Sequence, residues 1–169
     1  MIKQFVPQEV CLKCQGCCRF LEENSPWSPC LLDEEAQALL DKKDLPACTI
    51  SLDKRIHPVA NPRGEGFICP FLNIAQNQCR IYTERPFECQ LYPFLINLRD
   101  KKVLLTVDLN CPYIKENLKS KEFQGYCNYL ITFLNSPEEK KILRQNPQLL
   151  AAYEEVSEII ELKIEDETK

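Results

Sequence analysis

The segment Cys11-Leu12-Lys13-Cys14-Gln15-Gly16-Cys17-Cys18 places four thiols within eight residues, a demand that no ordinary hydrophobic core makes. A single C-x-x-C can be absorbed by packing, but two overlapping ones closed by a vicinal pair carry more sulfur than a small apolar cluster requires. The spacing is that of chelation, in which soft donors converge on one centre. The chain holds 11 cysteines in 169 residues. As a disulfide framework this would suit a shorter secreted scaffold with an even number of thiols. The first ten residues lack the continuous apolar core of an export signal. The expectation is therefore metal-thiolate chemistry in a reducing, cytoplasmic setting.

Charge narrows the partners. With 25 acidic against 21 basic side chains the net charge is -4, which offers no basic field to a phosphate backbone and argues against nucleic acid. No run of about 18 apolar residues occurs, so no membrane span is expected. The length suits one compact unit with an appendage.

Downstream, three more cysteines recur at ten-residue intervals, in Cys69-Pro70-Phe71-Leu72, Cys79-Arg80-Ile81-Tyr82 and Arg85-Pro86-Phe87-Glu88-Cys89. That interval is too long for one chelating turn, so folding must bring them together. Pro86 and Pro93 bracket a short helix that would carry Cys89. Phe94–Leu98 and Val103–Asp108 flank Arg99-Asp100-Lys101-Lys102 and read as a β-hairpin leading to Cys111-Pro112. Gly16 suits a tight turn inside the cluster.

The remaining elements are read from periodicity and caps. Residues 33–41 form a helix that Asp33 can cap and Pro46 ends, and residues 49–68 hold short strands around a turn. Residues 120–135 have helical spacing. Ser136-Pro137-Glu138-Glu139 opens another helix, and Asn146-Pro147 a last one whose apolar stripe runs from Leu149 to Ile164. The tail from Glu165 should fray. Phe20, Cys30, Cys48 and Cys127 read as core, and His57 as a polar residue near the surface. The fold class expected is α+β: an irregular cysteine-rich domain over residues 1–112 with short strands and hairpins, followed by a helical extension over 113–169.

Cys11, Cys14, Cys17, Cys18, Cys69, Cys79, Cys89 and Cys111 make eight candidate metal ligands. Eight thiolates suit two tetrahedral sites, two cubane clusters or one bridged centre. In an extended backbone Cys17 and Cys18 would point to opposite sides and serve two metals. Cys11, Cys14 and Cys17 match the first three ligands of a bacterial ferredoxin run, and the fourth is missing. Among the acids near these elements, Glu35, Glu84, Glu88 and Asp108, Asp108 is the candidate to support a ligand. Phosphate-binding loops, hydrolase elbows and histidine-based zinc motifs are absent from the sequence.

The ordered set Cys11-x-x-Cys14-x-x-Cys17-Cys18, Cys69-Pro70-Phe71-Leu72, Cys79-Arg80-Ile81-Tyr82, Arg85-Pro86-x-x-Cys89-x-x-Tyr92-Pro93-Phe94 and Cys111-Pro112 resembles the YkgJ-type cysteine-cluster family, described as a zinc- or iron-chelating domain. The resemblance covers roughly residues 10 to 112. It implies that those eight cysteines are the metal-binding set and that Cys30, Cys48 and Cys127 are extras. Two departures stand out: Gln90 replaces a common arginine, removing a positive charge from the neighbourhood of an anionic cluster, and Tyr113 replaces a common glycine. The signature is also similar to the cluster portion of flagellin lysine methylases. The expected function is an iron-sulfur cluster or iron site with a redox, accessory or protein-modifying role. The alternatives are a zinc-stabilised module that binds a protein partner through its C-terminal helix, and metal storage.

Overall fold

The computed structural model describes residues 2–14, 16–42 and 50–164; the expectations for Pro46, Cys48 and the tail lie outside them. The chain divides into two compact units, residues 1–90 and 91–169, so that the 94–108 hairpin and Cys111 group with the C-terminal helices.

The first unit is built from very short elements. Helix α1 (Gln8–Lys13) is followed by strand β1 (Arg19–Phe20) and helix α2 (Asp33–Leu40). Strands β2 (Val59–Ala60), β3 (Phe67–Ile68), β4 (Leu72–Asn73) and β5 (Gln78–Cys79) come next, then a 3-10 turn at Tyr82–Glu84 and helix α3 (Phe87–Leu91). The strands form an antiparallel sheet in the order β1-β3-β2 and a β4-β5 hairpin. Gly66 makes the close approach within the sheet: its φ is +77°, and a Cβ there would lie 2.7 Å from the Phe20 carbonyl oxygen. Phe20, Leu31, Ala36, Leu39, Ile56, Ile68, Phe71, Leu72 and Ile81 pack into one small core. Phe20 and Cys30 are buried there, as expected.

Helix α2 is capped differently from the sequence expectation. Leu32, not Asp33, is the N-cap, and its N–H donates to the Glu35 carboxylate at 2.9 Å. Asp33 instead pairs with Lys54.

The second unit has longer, regular elements. Strands β6 (Phe94–Arg99) and β7 (Lys102–Asp108) pair through a two-residue turn at Asp100 and Lys101, both at positive φ, the geometry that matches strand twist. Helices α4 (Pro112–Asn117), α5 (Lys121–Leu134) and α6 (Pro137–Gln145) follow. Ser120 and Ser136 accept from the backbone N–H of Phe123 and Glu139 at the starts of α5 and α6. Phe94 stacks on Phe123 and meets the Tyr126 ring at a tilt, which seats α5 on β6. Leu105, Ile114, Leu130, Leu134 and Leu143 are fully buried, and Cys127 is buried beside them in sequence.

The last expected helix is absent. After a 3-10 turn at Pro147–Leu149 the chain forms strand β8 (Val156–Glu161), antiparallel to β7. Val156, Ile159 and Ile160 are β-branched, and β7 presents an edge that a strand satisfies and a helix cannot. A bulge between Leu105 and Thr106 adjusts the register. The partner-binding surface expected on a C-terminal helix therefore has no helix to carry it. Among the described residues no helix is long and apolar enough to cross a membrane.

Candidate metal centre

The CxxCxxCC segment is a helix followed by a turn. Pro7 caps α1, Cys11 lies within it, and Cys14 ends it. Gly16 stands where a Cβ would lie 3.4 Å from the Cys14 sulfur, so glycine leaves that sulfur its room. Cys17 and Cys18 occupy a turn before β1, and the neighbouring Cys18 thiol pushes the Cys17 thiol up. The chain turns at Cys17 and Cys18, so the extended backbone assumed in the expectation that they serve two metals is not what forms here.

Asn77 fixes this segment to the next cysteine. It sits in the β4-β5 turn at φ 50°, and its side-chain amide donates to the carbonyls of Leu12 at 2.6 Å and Cys14 at 2.7 Å. Its carbonyl oxygen accepts from Arg19 at 2.8 Å. Cys79, two residues on, is thereby held next to the helix-turn that carries the first cysteines. Cys69 is tied in through its own N–H, which donates to the Cys18 carbonyl at 3.0 Å.

Cys89 is placed by two carboxylates. Glu35 accepts at one oxygen from Leu32 and at the other from the Phe87 N–H, 2.6 Å away at the start of α3. Burial holds its pKa above the ordinary value despite both hydrogen bonds. Glu88, itself buried, accepts from the Cys30 N–H. These two acids, rather than Asp108, support a cysteine-bearing element of this unit. Asp108 ends β7 instead: its carboxylate accepts from the Tyr92 hydroxyl at 2.9 Å and the Asn110 N–H at 2.7 Å. Its carbonyl accepts from Cys111, the N-cap of α4.

Four thiols from four places in the first unit feel one another. Cys69 is pushed up to about 12 by desolvation, with Cys79 and Cys17 contributing. Cys79 is raised by desolvation and by Cys17. Cys89 is raised well above the usual thiol range by desolvation, then by Cys69, Glu88, Cys17 and Cys79. Cys17 is raised by the neighbouring Cys18 thiol and then by desolvation. As a residue it is exposed, so we assign most of its shift to Cys18. Cys69, Cys79 and Cys89 resist ionising chiefly because burial desolvates the thiolate, with neighbouring thiols adding to the effect. A bound cation reverses that logic by deprotonating the sulfurs it ligates.

Cys17, Cys69, Cys79 and Cys89 thus lie in the same unit and influence one another's ionisation, and Cys17 and Cys18 are both free thiols. Cys11 and Cys14 lie on the helix that Asn77 staples beside Cys79, and Cys111 belongs to the second unit. Among the described residues no group of three or more His, Cys, Asp or Glu side chains is arranged to hold a metal ion; the sulfurs are neighbours, not a finished coordination sphere. The donor set is all sulfur, which fits zinc, copper(I) and iron-sulfur clusters and not magnesium or calcium. His57 is elsewhere, 3.1 Å from Glu23 in a small polar cleft with Asp53 and Arg55.

A family model described as "CxxCxxCC: Putative zinc- or iron-chelating domain" matches residues 10–128. The chain belongs to the CxxCxxCC family. A metal-binding role follows at that level, in agreement with the sulfur donors of the site. The matched segment takes in all eight candidate cysteines. No curated protein and no solved structure matches the chain.

Asn77 was not signalled as a site residue by its sequence context. For Asn77 a cue existed, an Asn in a polar turn between two short apolar stretches, but nothing in it announced the contact to residues 12 and 14.

Proposed function

We propose that the protein holds a soft metal centre through cysteine thiolates, with Cys17, Cys69, Cys79 and Cys89 as its principal donors and Cys11, Cys14, Cys18 and Cys111 completing the family's eight-cysteine set. The observation that supports this reading is the family match over residues 10–128, together with the backbone ties that join the cysteine segments, Cys69 N–H to the Cys18 carbonyl and the Asn77 amide to the carbonyls of Leu12 and Cys14. Four thiolates are the donor number of a cubane iron-sulfur cluster and of a tetrahedral zinc site. We favour the iron-sulfur cluster, which would supply one-electron chemistry to a redox, accessory or protein-modifying role. A zinc-stabilised interaction module is the second reading, supported by the two-residue strands of the first unit, which gain more from a metal staple than long strands would.

Anaerobic purification with metal and acid-labile sulfide analysis separates the two. Iron and sulfide in equal amount, with a broad visible absorption bleached by reductant, are expected. Colourless protein with zinc and no sulfide would sink the cluster reading. Cys69→Ser and Cys89→Ser should each abolish metal retention, and full retention in both would remove these cysteines from the ligand set.

A further inference from the structure

Helix α1 carries Cys11 and ends at Cys14, yet none of its six residues is buried. Apolar packing of the helix itself therefore does not hold the first cysteines in place. At its C-terminal end the Asn77 amide does so, through the Leu12 and Cys14 carbonyls. On its N-terminal side the tie is a closed ring of hydrogen bonds between residues 2–4 and the helix that carries Cys89. The Ile2 N–H donates to Gln90 Oε1 at 3.0 Å, and the Gln4 amide donates to the carbonyls of Ile2 at 2.9 Å and Gln90 at 3.0 Å. The Gln90 amide donates to the Arg85 carbonyl at 2.6 Å, and Arg85 Nη2 donates to Gln4 Oε1 at 3.1 Å. Ile2 is buried beneath this ring's end of the segment.

Both glutamines use both ends of their amides, so a lysine or arginine at either position, with donors only, could not close the ring. The bonds also reach backbone: Gln90 is the covalent neighbour of Cys89, and its own N–H continues α3 by donating to the Pro86 carbonyl at 2.9 Å. Holding Gln90 thus fixes the Cys89 backbone relative to the segment that runs on into Cys11 and Cys14. Each bond contributes modestly on its own, so the ring can open locally while the rest of the unit stays folded.

We propose that the Gln4-Gln90 ring is a clasp that joins the Cys89 helix to the Cys11–Cys14 segment and sets how fast the thiolate centre releases its metal. Closed, it keeps ligands from both ends of the unit on one ion; open, it lets them separate. This rests on the chelation reading above. Gln4 and Gln90 are positioning residues, acting through backbone and binding no metal themselves.

Zinc release from the reduced full chain into excess chromophoric chelator tests it, together with amide exchange by NMR on the metal-free chain. Gln4→Ala and Gln90→Ala should each speed release about 3- to 30-fold at unchanged zinc stoichiometry. The double variant should release within about twofold of the faster single, because either cut opens the same ring. In metal-free Gln4→Ala the Ile2 and Gln90 amides, whose own bonds the substitution leaves in place, should exchange about 3- to 30-fold faster, while the β3 amides keep the parent's rates. Release within twofold of the parent in either single variant overturns the proposal. So does a double variant whose acceleration is the product of the two singles, or an Ile2 amide unmoved by Gln4→Ala. Should Gln4→Ala fail to fold, Gln4→Glu takes its place, since it keeps the acceptor for Arg85 and loses both donations; release at the parent's rate there overturns the clasp. A parent chain that binds no zinc brings down the chelation reading and this inference with it, whereas a zinc-binding parent with unaltered variants removes only the clasp.

Discussion

The two units solve the same problem with different means. The second carries a hairpin of six- and seven-residue strands, a third strand and a 14-residue helix, and its core of Leu, Ile and Phe closes without help. The first spans more residues, yet its named strands are two residues long, and its cohesion comes from side chains that reach over backbone groups: Asn77, Glu35, Glu88, Gln4 and Gln90. Two-residue strands provide little ladder to propagate order. A unit of that kind is the one that benefits from a cross-link, and its cysteines are positioned to supply one through metal.

The largest effect expected from this contrast is seen on stripping metal. After chelation, backbone hydrogen exchange over residues 50–90 should rise toward that of an unprotected chain, while β6, β7 and α5 keep their protection, because structural metal binding contributes on the order of 10 kcal/mol to small thiolate folds. Exchange measured by peptide mass spectrometry reads this directly. Equal loss in both units, or loss in neither, would break the contrast.

What the sequence disclosed follows the same division. In the second unit the determinants are local: Ser120 and Ser136 announce α5 and α6, and apolar runs around Asp100-Lys101 announce the hairpin. The exception is β8, where a stripe from Leu149 to Ile164 matches helical spacing. The strand forms because β7, more than forty residues earlier in the chain, offers a free edge, a long-range term that no window of residues 147–164 contains. In the first unit the identity of the ligand candidates was plain from thiol chemistry and spacing, but their arrangement was not. The Cys17-Cys18 turn depends on where Asn77 holds residues 12–14, and the support of Cys89 depends on Glu35, more than fifty residues before it. The α+β class was legible because it needs only the element types.

The converse perturbation is of intermediate size. Leu130 is fully buried in α5, and Leu130→Ala should cost roughly 2–5 kcal/mol through lost apolar contact and the cavity left behind. Thermal unfolding of the second unit should shift down accordingly, with metal content per chain unchanged. A drop in metal content alongside the stability would break the contrast between the units.

The smallest effect distinguishes the units by pH. Burial pushes Cys127 up to about 11 and, in the first unit, Cys30 to about 11 and Cys69 to about 12; each is desolvation of the charged thiolate. Between the ordinary thiol value near 9 and those raised values, the unfolded chain has released a proton that the folded chain still holds. The unfolded state therefore binds fewer protons, and stability falls as pH rises. Below pH about 8.5 the contribution is fully present. In the second unit the raised pKa of Cys127 should give an alkaline loss of roughly 1–3 kcal/mol that flattens in Cys127→Ala. The metal-free first unit has Cys17, Cys30, Cys69, Cys79 and Cys89 all raised and should lose stability more steeply over the same window. Hydrogen exchange of both units at pH 8 and pH 10, with and without bound metal, separates them, and metal should suppress the first unit's slope because ligated sulfurs have already given up their protons. Parallel slopes in the two metal-free units would mean that the crowding of four thiols adds nothing to the first unit's instability, and the case for their convergence would fall with it.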